Sequence, residues 1–277
     1  MKIVRPSWKI LQLSPEALEI IELAGRTCYK SEDKIGAKCS ECGTMMPKIQ
    51  FQSHDGIVDE GWEQVCDCEG SKLIFTSHEF AKMILGRGHE SVIEHGFVTV
   101  RFISNRGFTH EMVRHRLVSY SQESTRYCNY SGDKFGSEIT VIEPWWFKSQ
   151  KHAIVEPSGS WEPYDFVDVD KMPAVGMWTN AIAAAELAYN KLISAGLPAQ
   201  AARGVLPIDV KTEIVVTANF REWRHIFKMR ASPAAHPDMQ RLMYPLLAEF
   251  KRKIPVIFDD LPEKDAPHAW DIYPKPE

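Results

Sequence analysis

The sequence predicts an α+β fold: one main domain over residues 1–277, with an insertion at about residues 35–70. Three observations carry that expectation. Apolar and polar residues alternate in "GFVTVRFIS", where Val98, Val100 and Phe102 share one face and Thr99 and Arg101 the other. Other runs have helical period or composition, above all the Ala-rich stretch from Ala174 to Gly196. No internal repeat or low-complexity tract interrupts the chain, and 277 residues suffice to bury a sizeable core.

In chain order, "KIVRPSWKILQLS" reads as one or two short strands. Ser14-Pro15-Glu16 opens a helix to about Lys30, with Pro15 in its first turn and Leu18, Ile21 and Leu23 apolar. Residues 35–70 are Gly-, Cys- and polar-rich without periodic apolar positions, the texture of an insertion. Helix resumes at Ser77, a suitable N-cap, with Phe80, Met83 and Ile84 as its stripe. After the Val98 strand, Thr109 caps a helix expected to run into Arg114-His115-Arg116. Glu138–Pro144 is a short strand, and the aromatic, acidic residues 150–173 form a long surface loop. The helix from Ala174 ends in Gly196. A short helix follows between Pro198 and Pro207, then a strand at Val210–Phe220 and a helix at Arg221–Arg230. Pro237–Pro255 is a last helix despite Pro245.

Composition excludes some classes. A net charge of −4 gives no basic coat for nucleic acid or a membrane surface. No stretch approaches the roughly 20 apolar residues of a membrane span, and the N-terminus lacks the pattern of a signal peptide. Six scattered cysteines without a secretory signal point to thiols or metal ligands and to the cytoplasm.

The chemistry concentrates in "VRHRLVSYSQESTRY". On a helix, Glu111 would share a face with Arg114 and His115. One reading is a solvated charged face with local ion pairs. The segment continues, however, as Ser-Tyr-Ser-Gln-Glu-Ser-Thr-Arg, nearly all hydrogen-bonding groups of poor helix propensity. Arg forks, Ser hydroxyls and exposed backbone N–H groups suit phosphate and carboxylate, so it reads as an anion-binding loop at a helix end, fit for a nucleotide or a flavin phosphate.

Arg114-His115-Arg116, seven residues and then Ser124 resembles the RHR-x7-S signature of the flavin-dependent thymidylate synthases, the ThyX family. "GHESVIEH", "AARGVLP" and "TANFREWRHIFKMR" resemble three further family segments, in family order from His89 to Arg230. The resemblance implies a central, mostly antiparallel sheet with flanking helices, and a homotetramer with active sites shared between subunits. It implies methylation of dUMP to dTMP, with methylenetetrahydrofolate as methylene donor and NADPH reducing a bound FAD. No G-x-G-x-x-G follows a strand, in keeping with a fold that lacks a Rossmann domain.

By position, the resemblance puts Ser91, Arg114, His115, Arg116, Gln122, Asn219, Arg221 and His225 at the FAD. Glu111, Arg114, Ser124, Thr125, Arg126, Arg203 and Arg230 fall where the family holds dUMP. Arg230 and His89 fall at the chemistry: a guanidinium on the uracil edge stabilises charge developing at N3 and O4, and His89 attends methylene transfer. Ser124 lacks an identifiable activating base, so phosphate binding suits it better than nucleophilic attack. The chain departs from the family at Glu111 (usually Gln), at Ser121-Gln122 (usually Asn-Glu) and at Gln200 (often Glu). A carboxylate at 111 near a dUMP phosphate must be paired with an arginine or turned away.

Cys39-x-x-Cys42 and Cys66-x-Cys68 have the spacing of a tetrahedral structural zinc site. A closed four-sulfur set leaves no open position, and metal would stabilise a stretch too poor in apolar residues to fold alone. Free thiols in a loop are the plain alternative; His54 is a substitute ligand if one cysteine is unused. The insertion is not part of the familiar family core. Cys28 and Cys128 read as buried or semi-buried thiols. The histidines of "HESVIEH" are six apart, not the four of a zinc-protease helix.

Two rivals remain. A zinc-ribbon nucleic-acid-binding protein would bind DNA or RNA with steep salt dependence, and the net acidity counts against it. A related pyrimidine-nucleotide flavoenzyme would prefer another substrate, which a product assay with dUMP beside dCMP separates.

Overall fold

A computed structural model describes residues 1–46, 48–52, 58–62, 66–68, 72–132, 136–147 and 174–262. The loop expected at 150–173 and the substitute ligand His54 lie outside the described residues. The strands are β1 (Lys2–Val4), β2 (Ser7–Leu13), β3 (Ala37–Cys39), β4 (Met45–Met46), β5 (Lys48–Gln52), β6 (Val58–Trp62), β7 (Leu73–Phe75), β8 (Phe97–Asn105), β9 (Ser119–Gln122), β10 (Thr140–Ile142) and β11 (Lys211–Asn219). The helices are α1 (Ala17–Thr27), α2 (Thr76–Gly86), α3 (Arg106–Met112), α4 (Ala174–Ser194), α5 (Ala199–Ala202), α6 (Phe220–Arg230) and α7 (Pro237–Lys253), with 3-10 turns at Glu32–Lys34, Glu90–His95 and Arg203–Val205.

The central sheet is antiparallel, in the order β2-β8-β11-β9. Alternation decides its faces. Val98, Val100 and Phe102 stand opposite Ala218, Val216 and Ile214, and all six are buried. The other face is polar: the Thr99 and Thr217 hydroxyls meet at 2.9 Å, and Arg101 pairs with Glu213. Residues of α1, α2, α6 and α7 complete the buried cluster on the apolar face. A second cluster joins α4 and α5 to the β1–β10 pair through Tyr189, Ile182, Ala202 and Val141. The insertion holds the β4-β3-β7 sheet and the β5–β6 hairpin.

Several local expectations need correction. α1 begins at Ala17 behind Glu16, whose φ of 49° is left-handed, so Pro15 lies outside the helix. Its buried face is Leu18, Ile21, Glu22 and Gly25, an i, i+3, i+4, i+7 set, and Leu23 is half exposed. The N-cap of α2 is Phe75; Ser77 is buried inside the first turn, and Met83 faces outward beside a stripe of Phe80, Ala81 and Ile84. The cap of α3 is Asn105, whose Oδ1 accepts from Phe108 N at 2.9 Å, rather than Thr109. α3 also stops at Met112, so Arg114-His115-Arg116 lies beyond the helix and the Glu111–Arg114 helical face does not form. Ser119–Gln122, expected in a loop, is the edge strand β9. Cys28 is exposed, not buried.

α6 is held by aromatic packing. Phe220, Trp223 and Phe227 turn inward, with Trp223, Phe227, Phe250 and Phe258 mutually edge-on or tilted at 5.0 to 5.8 Å between centroids. Trp223 Nε1 donates to Val98 O at 3.0 Å, which satisfies the indole where it is buried. Phe220 N donates to Gly96 O at 2.8 Å, and a Cβ on Gly96 would lie 2.3 Å from the Phe220 ring. Gly96→Ala is therefore expected to destabilise the protein by about 1–3 kcal/mol, the usual cost of overpacking a filled core. A urea titration comparing midpoints checks this; an unchanged midpoint would mean that Phe220 moves aside freely.

Candidate functional site

With Phe220, Trp223, Ile226 and Phe227 buried, helical period forces Arg221, His225 and Lys228 to the opposite, exposed face of α6. That face borders a cavity of about 730 Å³ lined by Glu90, Glu94, Leu117, Asn219, Arg221, Glu222, His225 and Lys228. Asn219 caps the helix, its Oδ1 accepting from Glu222 N at 2.8 Å. The opposite wall is the 3-10 turn that follows His89. Arg221 bonds Glu94 at 2.7 Å and lies 3.6 Å from Glu90. The predicted cofactor residues Asn219, Arg221 and His225 thus share one cavity, and Ser91 sits exposed on the turn that walls it.

His115 joins this cavity to a second cluster. Its imidazole is 4% exposed, and its Nδ1 lies 3.6 Å from Glu222 Oε1. The ring meets that of His225 edge-on, with centroids 5.4 Å apart. Arg230 Nε donates to His115 Nε2 at 3.1 Å, which requires that nitrogen to be unprotonated and puts the ring's proton on Nδ1. Burial, then the Arg230 and His225 charges, push the imidazole down to about 4. Burial also raises the Glu222 carboxyl, against the opposing pull of His225 and Arg221.

Arg230 uses three of its five N–H donors within the chain, the bond to His115 and two to Glu111, which leaves one on each terminal nitrogen. Its NH1 donates to Glu111 Oε2 at 2.6 Å and its NH2 to the Glu111 carbonyl at 3.1 Å. The paired carboxylate expected at Glu111 is present, with Arg230 rather than Arg114 as partner. The chain after α3 is fixed by Tyr120, whose hydroxyl contacts the Met112 and His115 carbonyls at 2.6 and 2.8 Å. Arg114 and Arg116 follow, exposed, on either side of the buried His115.

The remaining predicted substrate residues lie past β9. Arg203 NH1 donates to Thr125 Oγ1 at 3.4 Å. Arg126 is exposed and stacks over Tyr127 at 5.4 Å. Ser124 Oγ accepts from Arg126 N at 3.3 Å, and among the described residues no histidine or carboxylate bonds that hydroxyl. Glu123 is turned away, held by Lys211 at 3.0 Å and Tyr130 at 2.8 Å. The Gln122 amide nitrogen is used inside the fold, donating to Thr109 and Thr212 at 3.0 and 3.2 Å. Within one chain, then, the structure brings Glu111, His115 and Arg230 together, and separately Thr125 and Arg203.

Sequence reasoning assigned no role to Glu222, Glu90, Glu94, Lys228 or Leu117. Glu222 was legible as the residue one helical turn from His225. The two glutamates stand inside "GHESVIEH". Leu117, 78% exposed inside the signature, carries no sequence signal beyond its oddity. Among the described residues no helix is long and apolar enough to cross a membrane.

Comparison with known proteins places this geometry in a lineage. The family profile of the thymidylate synthase complementing proteins, Thy1, matches residues 9–256. The flavin-dependent thymidylate synthase of Geobacter sulfurreducens is 33% identical over 183 residues, 65% of this chain and 68% of that protein. Those of Corynebacterium aurimucosum and Mycobacterium tuberculosis are 28% and 27% identical, covering 91% and 87% of this chain and 83% and 78% of theirs. A match that begins in β2 and runs through α7 takes in the cavity, His115 and Arg230 alike, and the chain belongs to the flavin-dependent thymidylate synthase family.

Proposed function

We propose that the protein is a thymidylate synthase that converts dUMP to dTMP, with methylenetetrahydrofolate as carbon donor and NADPH as reductant of a bound FAD. The observation that carries this reading is His115, which touches both Arg230 and the wall of the cavity at Glu222 and His225. A nucleotide at Arg230 and a flavin in the cavity would therefore be neighbours. Nucleic-acid binding through the signature is disfavoured by the family match, which takes in the signature itself, and by a net charge of −4.

The residues present fit a flavin dinucleotide. About 730 Å³ lies within the range of small-molecule sites. The first turn of α6 with Arg221 suits a diphosphate, and Lys228 stands two turns further along the same face. Arg221 and Lys228 would exchange their present partners Glu94 and Glu90 for it, and exposed Leu117 offers apolar surface to a ring. Asn219, Arg221, His225, Ser91 and the Arg114–Arg116 segment would hold it; the Gln122 amide instead braces β9 from behind. Bound flavin supplies the hydride that reduces the transferred methylene to methyl. Arg230 binds the uracil edge and stabilises charge on N3 and O4, which makes the ring carbon nucleophilic. Ser124, Arg126 and Arg203 take the phosphate, and His89 attends methylene transfer from the exposed end of its turn. Neutral His115 accepts from Arg230 and so sets the plane of the guanidinium. We further infer a homotetramer with sites shared between subunits: Arg230 is bound at Glu111 and His115, which precede β9, whereas Ser124–Arg126 follow it.

The test is spectral and chemical. The purified protein is expected to be yellow, to bleach with NADPH faster when dUMP is present, and to form dTMP but no methylated product from dCMP. A colourless protein that takes up no FAD ends the proposal.

Arg230→Ala is expected to lower kcat by about 100-fold or more, as for loss of one preorganised donor. Glu111→Gln, which keeps an acceptor for Arg230, should retain most activity, whereas Glu111→Ala should raise KM for dUMP. Steady-state kinetics at matched flavin content decide; equal loss in both Glu111 variants would remove the positioning role.

The depressed His115 pKa also has a stability consequence. The unfolded imidazole titrates near 6.5 and the folded one at about 4. The unfolded chain thus takes up the proton first, and stability is lost as pH falls from about 6.5 towards 4. Urea titrations across that window should show the loss, and a His115→Gln variant should show less of it. Identical slopes would place the acid sensitivity elsewhere.

A further inference from the structure

The four cysteines of the insertion are not used by the reading above. Cys39, Cys42, Cys66 and Cys68 each present a sulfur, and the four sulfurs lie within 4.8 Å of one another. A tetrahedral set at zinc–sulfur distances of about 2.3 Å has its sulfurs roughly 3.8 Å apart, so only a small contraction separates this cluster from a closed site. None of these cysteines is in a disulfide.

The backbone is shaped for ligation. Gly43 N donates to Cys39 O and Cys39 N to Thr44 O, both at 3.0 Å, which folds the first pair into a tight knuckle. Gly43 closes that turn at φ +72°, a conformation that side chains resist. β3 carries Cys39 between β4 and β7, and Cys66 and Cys68 pack against the buried trio Ala37, Cys39 and Met46. Among the described residues this buried cluster is small, and cysteines supply three of its five members.

The base of the insertion is secured differently. Gly36 N donates to Thr76 Oγ1 at 2.9 Å, and Thr76 Oγ1 donates to Glu22 Oε2 at 2.8 Å. Glu22 is buried in α1 and paired with Arg26 at 2.6 Å. The root is therefore fixed by hydrogen bonds to the helical layer, and the four cysteines gather beyond it.

We propose that Cys39, Cys42, Cys66 and Cys68 bind one zinc ion as thiolates, releasing their protons on binding, and that this ion holds the tip of the insertion together. With four protein sulfurs the coordination is closed, so the ion is structural and takes no part in the methyl transfer. The proposal stands apart from the flavin reading, since none of the four cysteines lines the cavity.

Elemental analysis of protein purified without chelator should give about one zinc per chain. Cys42→Ser and Cys68→Ser should each lose most of that zinc, while Cys28→Ser, outside the cluster, keeps it. Stripping zinc from the wild-type protein with a chelator should expose residues 40–72 to limited proteolysis, and re-adding zinc should restore protection. Three results overturn the proposal: protein isolated without metal, protein holding iron in place of zinc, and a proteolysis pattern indifferent to the chelator.

Discussion

α6 has to satisfy two solvents at once. One face carries Phe220, Trp223 and Phe227, which burial against β8 and α7 stabilises by about 1.5–3 kcal/mol each. The other carries Arg221, His225 and Lys228, which must stay in a polar setting. Because the aromatic face is locked by ring contacts and by the Trp223–Val98 bond, the helix cannot rotate to relieve either demand. Its last residue, Arg230, is thereby delivered to Glu111 and His115 from across the sheet, and its first turn is delivered to the cavity. His115 joins the two ends, touching Arg230 on one side and Glu222 and His225 at the cavity wall on the other.

That geometry explains why the fold was partly legible. Burial alternates along β8 and β11, because one face of each packs on the core, and the polar Thr99 and Arg101 between Val98, Val100 and Phe102 let that pattern survive in the sequence. β9 hides because its core-facing residues are Tyr120 and Gln122, satisfied by hydrogen bonds to Met112, His115, Thr109 and Thr212 instead of by hydrophobic burial. The same Tyr120 hydroxyl pins the chain beyond α3, a tertiary effect that no local helix propensity reports. The Glu16 backbone shortens α1 in the same way: nothing in Ser-Pro-Glu announces a left-handed residue there.

The site shows a similar division. Residue types and spacing in "RHR", "AARGVLP" and "NFREWRHIFKMR" carried the candidates, and the fold brings several of them into contact. The partnerships were less visible. Glu111 was expected near an arginine, and on a helix Arg114 would have been the neighbour; ending α3 at Met112 frees Arg114 and leaves Arg230, 119 positions away, to take the carboxylate. In a charge-assisted bond of this kind the guanidinium compensates the Glu111 carboxylate.

The signature leaves two large apolar side chains standing in water, Leu117 at 78% and Tyr127 at 79% exposed, among exposed Arg114, Arg116 and Arg126. Apolar side chains set singly on a surface need no explanation, but these bracket β9 in the chain and stand among exposed guanidiniums. β9 itself is a four-residue strand whose span is roughly 13 Å at the rise of an extended chain. A nucleotide phosphate at Ser124 and a pyrimidine at Arg230 of the same chain would have to bridge that strand across the edge of the sheet. A second protomer's Arg230 region set against the first protomer's Ser124–Arg126 would remove the need to bridge it and would cover Tyr127. The shared sites proposed above would answer that constraint, with the phosphate end and the uracil end supplied by different protomers.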